Sequence, residues 1–519
     1  MPKLTIDGRE IEVAEGVSVL QAAERLGIEI PRFCYHEKLH VAGSCRMCLV
    51  EIEKMPKLVT SCTQPCAEGM VVHTHSLAVQ KARKGVMELL LINHPLDCPM
   101  CDQGGACDLQ DLAVAYGASK GRYRERKRMV KEKKIGPLIK TCMTRCIQCT
   151  RCIRFLNEVC GTPELGGFNR GEKLEIGTYI TRALSSELSG NLIDVCPVGA
   201  LTSKPAAAQF RPWELQGTDS IDVFDATGSN IRIDTKGDAI MRVVPRLNED
   251  VNEQWISDKT RFAIDGLRYQ RLDRPYIRRS GKLKPASWQE AIAVVCEKLR
   301  AAAPNRIAAI AGDMVDCESM FALKSFMHAL GSPNLDCRQD GAEYDVSTRA
   351  AYIMNSGIAG IEEADALVLI GVNPRTEAPV INARIRKRWL KGGFEVGVIG
   401  CAVDLGYPYT HLGDTPESLT DLLIGRPPFS PLIRNAKKPM IILGAGALAR
   451  PDGAAIHKNA RELADRLNAV REDWNGFNVL QLAASRVGGL DLGFVPQEGG
   501  EGTRGILAGK MEVVWLLGA

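Results

Sequence analysis

The chain opens on a short alternation of apolar and polar positions, with Leu4 and Ile6 on one side of Asp7-Gly8 and Ile11 and Val13 on the other. Period-two alternation across a glycine turn predicts a β-hairpin over residues 2–13. The pattern then becomes helical: Val19, Leu20, Ala23 and Leu26 share a face behind Ser18, and Gly27 closes it. A second helical stretch covers 80–93, with Val86, Leu89, Leu90 and Ile92 beside Lys81, Arg83 and Lys84, and stops at His94-Pro95. From Pro285 onward short apolar runs alternate with amphipathic stretches. Ile307–Ala311, Ala366–Ile370, Met440–Leu443 and Val513–Leu517 read as buried strands, and Trp288–Ala302 and Ala460–Ala469 as helices. That alternation predicts an α/β domain with parallel sheets. No apolar run reaches the roughly 18 residues of a membrane helix; the nearest, Met440–Ala449, is short and carries glycines.

Composition narrows this picture. The chain has 519 residues, 45% apolar and 25% charged, as expected of several soluble globular domains. A net charge of +4 does not call for nucleic acid. The N-terminus MPKLTIDGRE reads as neither a signal peptide nor an Arg/Ser-rich transit leader, so an intracellular chain is expected. Of the 18 cysteines, 14 lie before residue 200. In a long chain without an export signal such clustering points to metal sites and not to disulfides.

Three donor sets stand out. Cys34, Cys45, Cys48 and Cys62 have the spacing C-x10-C-x2-C-x13-C, the plant-type ferredoxin plan with a longer first gap. The hairpin and helix ahead of them are how small ubiquitin-like ferredoxin domains begin. A [2Fe–2S] cluster or a four-cysteine zinc site fits this set, with Cys66 a bystander. His94, Cys98, Cys101 and Cys107 form H-x3-C-x2-C-x5-C, with Gly104 and Gly105 allowing close backbone approach. A cubane with one imidazole ligand and a Cys3His zinc site both remain open here. Cys146, Cys149 and Cys152, in TRCIQCTRCIRF, together with the remote Cys196-Pro197, are the plainest [4Fe–4S] signature. Cys142 and Cys160 are surplus and read as buried thiols. Between the sets lies a basic run at 120–134, KGRYRERKRMVKEKK, readable as a solvated surface helix or arm, or as a contact to an acidic partner subunit.

In this order the three sets resemble the large iron–sulfur subunit of respiratory complex I, NADH:quinone oxidoreductase (the G or 75 kDa type). The strings PRFCYHEKL (31–39), GSCRMCLVE (43–51), NHPLDCPMCDQGGACDLQD (93–111), MTRCIQCTRCIRF (143–155) and SGNLIDVCPVGALTSKP (189–205) carry the resemblance, which is dense over the first 215 residues. It implies [2Fe–2S] on Cys34, Cys45, Cys48 and Cys62. It implies one [4Fe–4S] on His94, Cys98, Cys101 and Cys107, and another on Cys146, Cys149, Cys152 and Cys196. The implied fold is multidomain α+β and α/β. A ferredoxin-like β-grasp domain (1–78) is followed by a histidine-plus-three-cysteine segment (79–118) and a four-cysteine segment (119–215). A degenerate Mo/W-type 4Fe–4S segment without cysteines (216–272) leads to a molybdopterin-oxidoreductase-like α/β domain (273–519). In the degenerate segment Asp222, Asp225, Ser229 and Ser257 stand at the C-x2-C-x3-C-x27-C spacing that some relatives use for a further cubane.

The string GVNPRTEAPVINARIRK (371–387) resembles molybdopterin-binding oxidoreductases, and Gly444-Ala445-Gly446 is a weak candidate phosphate turn. No thiol or imidazole stands where a molybdenum ligand is expected, Cys317 being the one left open, so a domain that kept the fold and lost the cofactor is expected. The resemblance implies electron transfer without a catalytic residue, flavin or molybdopterin in this chain. Electrons are expected from a flavin-bearing NADH-oxidising partner, toward iron–sulfur subunits leading to quinone. They are expected to enter at the two-iron site and to visit the all-cysteine cubane before the histidine-ligated one. Proton translocation belongs to the whole complex. The place expected is the peripheral arm, at the cytoplasmic side of a bacterial inner membrane or the matrix side in mitochondria, with membrane association through the complex alone. Large subunits of a soluble NAD-linked formate dehydrogenase, or of a hydrogenase-type oxidoreductase, are the alternative; a zinc-stabilised scaffold is the plainest one. Relatives are expected to continue beyond Ala519.

Overall fold

The computed structural model describes every residue except Thr181, Arg268 and Pro427. It divides into two compact units, residues 1–217 with 234–241 and residues 218–233 with 242–519.

The first unit begins with the expected hairpin, β1 (Lys3–Ile6) and β2 (Arg9–Glu12), whose turn residues Asp7 and Gly8 both take positive φ, 46° and 81°. That is the turn geometry whose twist matches paired strands. Helix α1 (Val19–Arg25) starts at a capping box in which Ser18 and Gln21 satisfy each other's backbone amides. Strands β3 (Leu49–Ile52), β4 (Val59–Thr60) and β5 (Val71–His73) complete a mixed sheet of order β2-β1-β5-β3-β4, with β1 parallel to β5. Leu4, Ile6, Leu20, Val50 and Val72 fill the space between sheet and helix.

Helix α2 (Leu77–Leu91) presents a different face from the one its apolar residues suggest. Val79, Arg83 and Met87 are buried, while Leu89 is 68% exposed. Arg83 is buried because its guanidinium donates to the Leu49 carbonyl at 3.0 Å and stacks over Tyr116, while its stem packs as hydrocarbon. After α3 (Asp108–Tyr116), residues 117–138 contain no helix or strand. Strand β6 (Ile139–Thr141), helix α4 (Arg151–Arg154), strands β7 (Gly166–Phe168) and β8 (Glu175–Gly177), helix α5 (Leu192–Val195) and strand β9 (Leu201–Ser203) follow. β6 and β9 pair antiparallel, Ile139 opposite Ser203 and Thr141 opposite Leu201.

Strands β10 (Gln216–Ile221), β11 (Asn230–Lys236) and β12 (Ala239–Pro245) form a sheet in that order, and α6 (Asp258–Phe262) follows. The α/β part of the second unit contains α7 (Trp288–Ala301), β13 (Ile307–Ala311), α8 (Cys317–Ala329), β14 (Asn334–Asp336), β15 (Ala366–Ile370) and α9 (Pro379–Leu390). It continues with β16 (Glu395–Ile399), β17 (Thr410–Gly413), β18 (Pro439–Gly444), α10 (Gly453–Arg466), β19 (Phe477–Leu480) and β20 (Val513–Leu517). Two parallel sheets result, of order β14-β13-β20 and β17-β16-β15-β18-β19. All four strands expected from the apolar runs are present, but β20, at the edge of its sheet, exposes Val514 and Leu516 and is not a buried strand. The helix expected at 460–469 starts earlier, at Gly453, and stops at Arg466, where Asn468 in the left-handed region turns the chain out.

In Gly444-Ala445-Gly446 the first glycine is required by packing. A Cβ at Gly444 would lie 2.4 Å from the Gly371 carbonyl oxygen, so two strand ends cross where only glycine fits. The helix that follows, Ala445–Leu448, is a single turn. Elsewhere in this unit Arg486, 2% exposed, pairs with Asp313 at 2.8 Å and Asp340 at 3.0 Å and lies over the Tyr344 ring. Removing one partner from such a cluster strands the opposite charges. Arg486→Met is therefore expected to cost about 3–5 kcal/mol and to lower the thermal midpoint of the second unit, measured by circular dichroism. An unchanged midpoint would show the cluster to be dispensable.

Candidate metal centres

All three donor sets lie in the first unit. Cys34, Cys45 and Cys48 sit on the segment between α1 and β3, and Cys62 lies just beyond β4. Cys34, Cys48 and Cys62 are buried and Cys45 is half-buried. The Cys34 amide donates to Cys45 Sγ at 3.4 Å. The thiols pair, Cys34 with Cys45 and Cys48 with Cys62. Within each pair the neighbouring sulfur holds one thiol, that of Cys34 or Cys48, below its usual pKa and pushes its partner up. Arg46, at φ 60°, gives the left-handed turn that wraps the backbone around this set. Cys66 is packed in the adjoining apolar core.

His94, Cys98, Cys101 and Cys107 line a cavity of about 720 Å3 between the end of α2 and the start of α3. The donor set fits a metal group on two counts. His94 Nδ1 is buried without a hydrogen-bond partner, and burial followed by the charges of Lys127 and Arg145 holds the imidazole below its usual pKa, hence neutral with a lone pair to give. Gly199 forms part of the wall, and a Cβ there would lie 2.2 Å from Cys101 Sγ. Gly104 is equally confined, 2.7 Å from the Cys98 carbonyl oxygen for a Cβ.

The four-cysteine set is assembled by the β6–β9 pairing. It carries the chain from Cys196 back beside the loop at 146–152, with the Cys142 amide bonded to the Ala200 carbonyl at 2.8 Å. Gln148 and Thr150, between the cysteines, both take the left-handed region, φ 55° and 61°, so the loop curls and the Gln148 amide reaches Cys146 Sγ at 3.4 Å. Burial, then the neighbouring sulfurs, pushes Cys146 up to about 11 and Cys196 up to about 12, and raises Cys152 strongly. Each of these three thiols is raised by others of the set, as expected of sulfurs that lie near one another, and a metal binding them would release protons. Of the two surplus thiols, Cys160 is buried, and Cys142 is half-buried near Asp97 and Cys101.

Cations link the sets in a way the cysteine spacing does not reveal. Arg145, next to Cys146, pairs with Asp97 at 3.0 Å and lines the His94 cavity. Arg151 donates to the Tyr35 carbonyl at 2.7 Å and lies 3.9 Å from Asp108. Arg154 donates to the carbonyls of Cys34 at 2.5 Å and Cys149 at 3.2 Å. The basic run is a largely solvent-exposed arm with no helix, tied to the end of α2 at a few points. Lys127 Nζ donates to the carbonyls of Leu91, Ile92 and His94 at 2.8, 2.9 and 2.8 Å, and Arg122 pairs with Glu88. A cation there closes the C-terminal end of α2. The only sequence signal for these roles is that Arg145, Arg151 and Arg154 fall inside the cysteine motif itself.

The degenerate segment is held by oxygen. Asp222, Asp225, Ser229 and Ser257 are all buried. Thr260 Oγ1 donates to Asp222 Oδ2 at 2.9 Å and bonds Ser257 Oγ at 2.7 Å, and the Thr227 amide donates to Asp225 Oδ1 at 2.9 Å. In the α/β part, a cavity of about 330 Å3 opens at the carboxyl ends of β15, β16 and β18. Asn373 and Glu377 line it, each with a buried oxygen lacking a partner. This is where strand order reverses in such sheets. Cys401 is the one thiol in its wall, and Cys317 lies elsewhere, exposed at the start of α8. Among the described residues no helix is long and apolar enough to cross a membrane.

Five family models match along the chain. They are a 2Fe-2S iron-sulfur cluster binding domain (2–76), an NADH-ubiquinone oxidoreductase-G iron-sulfur binding region (83–122), an NADH-quinone oxidoreductase subunit 3 ferredoxin-like domain (136–202), an NADH-ubiquinone oxidoreductase NDSU1/NuoG-like 4Fe-4S domain (215–265) and a molybdopterin oxidoreductase model (271–519). Among curated proteins, the mitochondrial NADH dehydrogenase [ubiquinone] iron-sulfur protein 1 of Solanum tuberosum is 53% identical over 95% of this chain and 67% of its own length. The G-type subunit of NADH-quinone oxidoreductase from Rickettsia felis is 52% identical over 100% of this chain and 76% of its own. The mitochondrial NADH-ubiquinone oxidoreductase 78 kDa subunit of Neurospora crassa is 52% identical over 100% and 70%.

The confinement of Gly199 yields a test. In Gly199→Ala the new methyl meets Cys101 Sγ, so loss of the electron paramagnetic resonance (EPR) signal of the His94 site is expected, with the other sites' signals kept. A full signal at wild-type iron content would remove Gly199 from the wall of that site.

Proposed function

Because the chain belongs to the family of G-type subunits of NADH-quinone oxidoreductase and their mitochondrial iron–sulfur counterparts, we propose that His94 and eleven of its cysteines hold three clusters of complex I. Membership makes it an electron-transfer subunit of that enzyme, carrying 2Fe-2S and 4Fe-4S binding domains. On our reading Cys34, Cys45, Cys48 and Cys62 bind one [2Fe–2S] cluster. His94, Cys98, Cys101 and Cys107 bind one [4Fe–4S], and Cys146, Cys149, Cys152 and Cys196 bind the other. We keep the five segments 1–78, 79–118, 119–215, 216–272 and 273–519, and assign no cluster to the fourth, which has no cysteine.

The observation that carries this reading is the convergence of three donor sets, already bonded to one another through arginine, inside one compact unit. Zinc is the weaker reading of those sets. The family models matched over those segments are iron–sulfur ones, and a cubane takes four donors at four corners. When bound, the clusters supply one-electron carriage. The chain's own part is positional. Thiolates and the His94 imidazole set the charge of each site, amides such as that of Gln148 donate to sulfur, and burial keeps water away. No general acid or nucleophile is assigned.

The partners are other complex I subunits. We infer a flavin-bearing NADH-oxidising neighbour on the two-iron side and iron–sulfur subunits leading to quinone beyond the His94 site, with the four-cysteine site between. We place the chain in the peripheral arm, on the cytoplasmic or matrix side, with proton translocation a property of the whole complex. No molybdopterin is assigned to the α/β part: the 330 Å3 cavity is at the small end of ligand sites and offers one thiol, exposed Cys401. On this reading the formate-dehydrogenase-type alternative is the less favoured one.

Metal analysis of the purified protein should give roughly ten irons, from one two-iron and two four-iron clusters, with matching sulfide and neither molybdenum nor tungsten. Cys149→Ser should abolish one cubane EPR signal. Zinc in place of iron, or stoichiometric molybdenum, would sink the proposal.

A further inference from the structure

Arg154 lies two residues after the ligand Cys152, at the end of α4, and its guanidinium is shared between two donor sets. Nη2 donates to the carbonyl of Cys34 at 2.5 Å and to that of Cys149 at 3.2 Å. Nη1 donates to the His40 carbonyl at 2.5 Å, and Nε to Thr150 Oγ1 at 3.3 Å. One side chain thus binds the backbone of a ligand residue in each set, across 120 positions of sequence. The His94 set is tied in by other cations, Arg145 and Lys127.

A guanidinium stays charged at any accessible pH and presents its donors in a rigid plane. Fixed positive charge beside a cluster favours the reduced, more negative state, so it raises the potential. Carbonyls bound to the same fork cannot drift apart without breaking charge-assisted bonds. Building on the cluster assignment above, we propose that Arg154 is a positioning residue for electron transfer between the two-iron and the four-cysteine centres. It clamps one ligand residue of each and raises the potential of both.

The test uses the assembled complex and EPR-monitored redox titration. Arg154→Met is expected to lower the midpoints of the two-iron signal and of the all-cysteine cubane signal. Each shift should correspond to roughly tenfold in the one-electron equilibrium, about 59 mV, while the histidine-ligated cubane stays put as an internal reference. Arg154→Lys keeps the charge but not the fork. It is expected to hold both midpoints near wild type and to slow electron arrival at the all-cysteine cubane in freeze-quench EPR by roughly tenfold or more. Unmoved midpoints in Arg154→Met, a shift in only one of the two signals, or a wild-type transfer rate in Arg154→Lys overturns the proposal. If Arg154→Met does not assemble, the Arg154→Lys rate decides alone. Absence of these two signals from the wild-type complex would overturn the cluster assignment itself, whatever Arg154 does.

Discussion

A four-cornered site whose ligands come three from one loop and one from far along the chain can close only if the chain returns. Here the return is made by the pairing of β6 with β9, which carries Cys196 back to the loop at 146–152. Much else in the first unit follows from that closure. Once Cys196-Pro197 is in place, Gly199 falls against Cys101, and Cys107 lies 3.8 Å from the Pro197 carbonyl. The wall of one site is thereby made from the closing strand of another. A two-stranded ladder of three residue pairs is weak alone; burial of Ile139, Leu201 and Val198 around it makes the return unambiguous.

The second constraint is charge. Sulfur ligands bring negative charge into a region of low dielectric, where uncompensated charge is costly. The cations that answer it come from within the motif, Arg145, Arg151 and Arg154, and from Lys127 in the segment after α3. Much of their donating capacity goes to main-chain carbonyls, so they balance charge and splice loops at once.

Local patterns are legible where local physics decides. The opening hairpin, the Ser18 cap, the donor spacings and the four apolar strands of the α/β part need only neighbouring residues. The failures share a cause. Arg83 counts as polar in any periodicity, yet its stem fills the core while Tyr116 and the Leu49 carbonyl take its charge. The basic run is the exposed arm it reads as, but its tether to the end of α2 is hidden because the partners are backbone oxygens, and a carbonyl has no letter in the sequence. Gly444 looks like a phosphate turn because a crossing of two strand ends demands the same residue. Arg154 is invisible for the same reason as the tether of the basic run.

The oxygen-bonded segment around Asp222 has a consequence for biogenesis. A segment organised by a metal group stays loose until the metal is delivered. Here Asp222, Thr260 and Ser257 are bonded in series and Asp225 turns back on the Thr227 amide, so carboxylates and hydroxyls tie the stretch together. On the reading that this segment binds no cluster, its shape does not wait on iron supply, whereas the donor sets of the first unit would order further as theirs load.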